Sequence, residues 1–86
     1  MGNYKILIKS SAAKELIRLP KIDIQRITSK IKSLSTDPRP HGCEKLSAQE
    51  RYRIRQGNYR IVYSIEDDKL IVYVIKIAHR SAVYKK

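Results

Sequence analysis

The stretch RYRIRQGNYRIVY, Arg51 to Tyr63, decides how this chain is read. Apolar and basic residues alternate with the period of two that marks a half-buried strand, and the alternation is interrupted once, at Gly57-Asn58. That pair has the composition of a two-residue type II′ turn, because glycine enters the positive-φ region that its first position needs. The turn predicts a register. Gln56 faces Tyr59, Arg55 faces Arg60, Ile54 faces Ile61 and Arg53 faces Val62. One face then carries Tyr52, Ile54, Tyr59, Ile61 and Tyr63, and the other carries Arg51, Arg53, Arg55 and Arg60.

Working outward, Asp67-Asp68 reads as a second two-residue turn, pairing Ser64 with Ile71, Tyr63 with Val72 and Val62 with Tyr73. The apolar face gains Ile65, Leu70, Val72 and Val74, and the arginine face passes to Val62, Tyr73, Ile75 and Ile77. LIVYVIKI, from Leu70, is apolar on both faces and is expected at the centre of the sheet. Upstream, Tyr4 to Lys9 alternates as a strand. Ser10 or Ser11 is expected to cap a short helix that Pro20 stops. A longer helix from about Lys21 to Ser35 carries one stripe of Ile24, Ile27, Ile31 and Leu34. TDPRPHG then breaks regular structure. The expected fold is α+β, one domain over residues 1–86: an N-terminal strand and a two-helix hairpin packed on one face of a small antiparallel sheet.

Composition narrows the function. The chain has 19 Lys and Arg against 8 Asp and Glu, a formal charge of +11. Such an excess repels itself and attracts polyanions, so nucleic acid is the leading class of partner and an acidic protein the next. The single cysteine, Cys43, excludes an internal disulfide and suits a reducing cytoplasm. No stretch has the length and apolarity of a membrane span, and no signal-peptide core is evident. One cysteine and two separated histidines do not form a metal-ligand pattern, and three glycines make no phosphate loop. No cofactor is expected.

The arginines carry the chemistry. Directly opposed like charges such as Arg55 and Arg60 destabilise a sheet unless an anion bridges them. Forked guanidiniums suit phosphate. A solvated strand face is the plain alternative. The segment AHRSAVYKK, following the central strand, could bring His79, Arg80 and Tyr84 beside the cluster, with Lys45, Arg51, Lys85 and Lys86 as further nucleic-acid contacts.

The N-terminal strand, the helical hairpin around Leu19-Pro20, the DPRP break, the block EKLSAQERYRIRQGNYRIVYSI and the ending HRSAVY, taken in order, resemble the RelE/ParE superfamily of toxins from type II toxin–antitoxin pairs. The HRxxVY ending is nearer the RelE-like branch. That likeness implies a metal-independent endoribonuclease that cuts mRNA in the ribosomal A site. It implies catalytic positions at Arg53, Arg55, Arg60, Arg80 and Tyr84. It also implies a small, partly acidic, RelB-like antitoxin as partner, with the ribosome and mRNA as targets. Arg60 and Arg80 would stabilise the phosphorane, and Tyr84 would stack on a base or orient the substrate. The RelE pattern has lysines where this chain has Arg53 and Arg55, and arginine does not give up its proton. His79 is then the natural acid or base, with a packing histidine as the alternative. Glu44 and Glu50 are remoter candidates, and His41 is expected in solvent. Two rival readings share the fold: a ParE-like inhibitor of DNA gyrase without nuclease activity, and an RNA- or ribosome-binding module that does not cut.

Overall fold

The computed structural model describes residues 3–46 and 50–80. Its elements run β1 (Lys5–Ile8), α1 (Ser10–Ile17), α2 (Lys21–Ser33), β2 (Glu44–Leu46), β3 (Arg51–Gln56), β4 (Tyr59–Glu66) and β5 (Ile71–His79). The five strands form one sheet in the order β1-β5-β4-β3-β2. From β2 to β5 the neighbours are antiparallel, but β1 joins β5 in parallel, Ile6 against Val72 and Ile8 against Val74. The sheet is therefore mixed rather than antiparallel.

The β3–β4 hairpin has the register that its turn dictates, from Gln56 opposite Tyr59 to Arg53 opposite Val62. Gly57 sits at φ +61° while Asn58 has no positive φ, the combination of a type II′ turn. Tyr52, Ile54, Ile61, Tyr63, Ile65, Val72 and Val74 are buried on one face. Ile27, Ile31 and Leu34 of the α2 stripe and Ala12 of α1 close over them as a single core. The charges of α2 follow its dipole, with Asp23 in the first turn and Lys30 and Lys32 in the last.

Five expectations need correction here. Neither serine caps α1: the N-cap position is Lys9, and its carbonyl accepts the Ala13 N–H at 2.9 Å. The second helix ends at Ser33. The β4–β5 turn takes four residues, so Glu66 faces Ile71 and Tyr63 faces Val74. Neither aspartate has a glycine's freedom to enter positive φ, and the left-handed position falls instead on Leu70, φ +54°. Leu70 therefore lies in the turn, 40% exposed, and not in the core.

The fifth correction has the largest consequence. Val62 pairs with Lys76 but Tyr63 pairs with Val74, which leaves Ile75 as an extra residue, a β-bulge. One extra residue reverses the alternation beyond it. Ile77, expected on the arginine face, thus lies opposite Ile61 in the core and is 3% exposed. The bulge is held from α1: Glu15 accepts the Ile77 backbone N–H at 2.9 Å and binds Lys76 Nζ at 3.0 Å. A helix side chain supplies the acceptor that a neighbouring strand would supply, past the point where β1 stops pairing.

Candidate functional site

Arg51, Arg53, Arg55 and Arg60 share the sheet face turned away from the helices, as strand parity requires. Their surroundings differ. Arg51 and Arg55 are exposed, Arg53 is half-buried, and Arg60 is buried at 5% exposure. The Nη1 group of Arg60 lies 3.4 Å from the Tyr59 carbonyl oxygen. Arg60 and Arg55 are direct cross-strand partners, and Ala78 flanks Arg60 on the other side.

The anion among these cations belongs to the chain itself. Strand β2 pairs with β3 so that Glu44 lies opposite Arg53. Both Nε, at 3.1 Å, and Nη2 of Arg53 donate to Glu44 Oε1. The hydrogen bonds from Arg53 hold the Glu44 carboxyl below its ordinary pKa; the charge of Arg53 adds to this, desolvation opposes it, and the charges of Arg55 and Arg60 add least. Glu44 is thus paired with Arg53 on the sheet face that also carries Arg55 and Arg60. It was a remote candidate from sequence because nothing before Arg51 shows that Glu44–Leu46 pairs back onto Arg51–Arg53.

The bulge moves His79. As the last residue of β5 it pairs with Tyr59, whose ring belongs to the helix face, and the two rings meet edge to face at 5.4 Å. Tyr59 in turn reaches toward Asp23 of α2. His79 lies across the sheet from the arginines, and its expected place beside them is corrected: without the extra residue at Ile75, alternation would have put it on their face. Lys45 is not brought beside the arginines either. It lies opposite Tyr52, hence on the helix face, and its ammonium pairs with Glu50 at 3.2 Å. Arg80 is exposed, with its N–H donating to the Asn58 carbonyl at 2.7 Å, which fixes the end of β5 to the hairpin turn. Tyr84, Lys85 and Lys86 lie outside the described residues.

Around the edge of β3 the structure adds residues not expected at the site. A hollow of about 290 Å³ is lined by Lys30, His41, Gly42, Glu44, Ile54 and Arg55. Gly42, at φ +92°, turns the chain away just before β2, a conformation that other residues rarely take. Strand β2 therefore covers β3 only from Arg51 to Arg53, and among the described residues no strand pairs with that edge from Ile54 to Gln56. His41 lies in solvent as expected, yet at the rim of the hollow. Among the described residues no cluster of three His, Cys, Asp or Glu side chains could hold a metal, and no helix is long and apolar enough to cross a membrane.

A mixed five-stranded sheet under a helical hairpin, with arginines on its open face, has close structural counterparts. The family model described as the ParE toxin of the type II toxin–antitoxin system, parDE, matches residues 6–84. The chain belongs to the RelE/ParE superfamily of type II toxins. Toxin RelE of Mycobacterium tuberculosis is 36% identical over 84 residues, covering 95% of this chain and 87% of that one. The archaeal RelE–RelB complex from Pyrococcus horikoshii superposes with a TM-score of 0.83 at 27% identity, over 91% of this chain and 96% of the other. The isolated RelE toxin of Escherichia coli gives 0.79 at 27% identity, over 94% and 90%.

Proposed function

We propose that this toxin is a ribosome-dependent mRNA endoribonuclease of the RelE-like kind, held in check by a small, partly acidic, RelB-like antitoxin. The observation that carries the reading is one sheet face on which Arg53, Arg55 and Arg60 lie with Glu44, the carboxylate paired to Arg53. Cleavage without a metal requires a proton acceptor and fixed cations, and this face holds both. In the reaction the RNA 2′-oxygen attacks the neighbouring phosphorus while its proton passes to the Glu44 carboxylate. The bond from phosphorus to the 5′-oxygen breaks, and that oxygen takes a proton from solvent. The products are a 2′,3′-cyclic phosphate and a 5′-hydroxyl. Arg55 and Arg60 face the non-bridging oxygens as negative charge builds on them. The incoming phosphate draws Arg53 from Glu44, which frees the carboxylate and raises its basicity. The antitoxin follows from the +11 charge and from the RelB partner that the Pyrococcus horikoshii relative was solved with.

A second reading, a ParE-like gyrase inhibitor, is favoured by the ParE family model itself. One experiment separates the two: the toxin is added to a translating extract while RNA 5′ ends are mapped, and gyrase supercoiling is assayed in parallel. Cleavage within translated codons, lost in Arg55→Ala and Arg60→Ala, is expected. Intact messages with blocked supercoiling would replace the nuclease reading. Because Arg60 is buried, its variant is read beside a melting curve; Arg55 is exposed, so its variant should keep the parent's melting temperature.

A further inference from the structure

Three features bear on what lies beyond the arginine face. The first is the open edge of β3. In a hairpin closed by a two-residue turn, Gln56 and Tyr59 exchange ladder hydrogen bonds, so along β3 the even positions bond toward β4 and the odd ones point outward. Arg53 meets Glu44 of β2 on that outer side, but β2 extends no further, so the ladder alternation turns the Arg55 amide and carbonyl toward the hollow. The second is the lining. Ile54 gives an apolar wall, His41 an aromatic ring, and Lys30 and Arg55 two cations. At about 290 Å³ the space lies at the small end of small-molecule sites, the scale of one nucleobase rather than a folded segment. The third is continuity. Glu44 and Arg55 belong to the arginine face and to the hollow at once. On the far side, Lys30 also lines a second hollow of about 470 Å³ with Arg26, Ser29, Ser33 and Gln56.

We infer that the hollow at the open edge of β3 is a nucleotide site, which receives the base next to the cleaved phosphate while the RNA strand continues along α2 past Lys30 and Arg26. This rests on the RNA-cleaving reading of the arginine face. A phosphate on Arg55 places the adjoining nucleotide within one residue of the edge. There its base stacks on the His41 imidazole and presents its polar rim to the Arg55 amide and carbonyl. Lys30 neutralises the next phosphate, and Arg26 and the Ser29 hydroxyl follow it along α2. The arginine face cuts any sequence alike; the hollow, with a defined donor and acceptor, is where one base is told from another.

The test titrates the ¹⁵N-labelled toxin with a single-stranded RNA hexamer of mixed sequence. The amides of Lys30, His41, Gly42 and Arg55 should shift together. The double variant Lys30→Ala/His41→Ala should bind the hexamer at least about 5-fold more weakly, the low end of the loss expected for one stacked base. In a translating extract it should still cut, with a changed distribution of bases at the cut sites. A hexamer that binds while those four amides stay silent, or a double variant with unchanged affinity and cut-site bases, overturns the inference. Hexamer binding in the hollow by a toxin that cleaves nothing in the extract supports the site and removes the nuclease reading instead.

Discussion

At the scale of single residues, the question that the proposed nuclease reading raises is which group takes the proton when β3 carries arginines. Strand alternation made the four arginines legible in the sequence. It could not show Glu44, because the pairing of β2 depends on Gly42 and on three residues of edge contact with no periodic signal of their own. Glu44 and His79 make opposite predictions for pH. The Glu44 pKa is held below its ordinary value, mainly by Arg53, so the carboxylate is already deprotonated throughout the neutral range. If it is the acceptor, single-turnover cleavage should be flat from about pH 6 to 8, and activity should fall only as acid reaches the carboxylate. A histidine acceptor would instead make the rate climb within the physiological range. Glu44→Gln should lower the rate at least about 100-fold, the low end for general-base catalysis, while His79→Ala should cut like the parent. The same depressed pKa bears on stability with the sign usual for a carboxylate. The Arg53 pair contributes above the unfolded value and is lost as pH falls through the lower folded one.

At the scale of elements, the outcome depends on whether a turn or a bulge controls the register. The Gly57-Asn58 turn was legible because glycine at that position has a conformational reason. The bulge at Ile75 was not, because LIVYVIKI is apolar on both faces and a one-residue slip leaves no mark on its pattern. The information that places the bulge lies sixty residues away, in Glu15 of α1. Glu15→Ala would leave the Ile77 N–H without its acceptor and should destabilise the fold by about 1–2 kcal/mol. In a domain of this size that is a loss of about 5–15 °C in melting temperature, readable by circular dichroism. Lys76→Ala removes only an exposed ion pair and should cost under about 1 kcal/mol. Equal losses from the two variants would mean that the ion pair, and not the backbone acceptor, secures the bulge. The arginine row and the buried Ile77 are thus settled by different elements, the first by the hairpin and the second by α1.

At the scale of the whole molecule, two kinds of charge arrangement must be kept apart. On one flank Asp67 closes a knot between distant segments. Arg39 of the DPRP break donates to both its oxygens at 3.1 and 2.9 Å, Tyr4 donates at 2.7 Å, and the Arg39 guanidinium lies over the Tyr52 ring at 5.1 Å. Hydrogen bonds from Arg39, then from Tyr4, hold Asp67 down to about 2. Because the folded value is depressed, this knot should lose its contribution as pH falls from about 4 toward 2. Asp67→Asn should therefore flatten the melting-temperature curve of the parent over that interval. An unchanged acid limb would show that the knot is too solvated to matter.

The other arrangement is the uncompensated charge, and there salt is the probe. A fold of +11 pays for its charge in self-repulsion unless most of it is spread away from itself, and the described cations are spread over both helices as well as the arginine face. Bulk charge alone would attract RNA through many weak contacts that no single residue governs. A built site would concentrate the dependence in a few. For a single-stranded oligomer each neutralised phosphate contributes about 0.7 to the slope of log affinity against log salt. The arginine face and the edge hollow together offer three to four such contacts, so a short RNA should bind with a slope near about −2 to −3. Arg55→Ala, at the junction of the two, should reduce the magnitude of that slope by about 0.7, whereas removal of the distant Lys14 on α1 should leave it where it was. If Lys14→Ala and Arg55→Ala lower affinity and slope equally, the molecule binds RNA as a diffuse cation, and the arginine face has no privileged place in that binding.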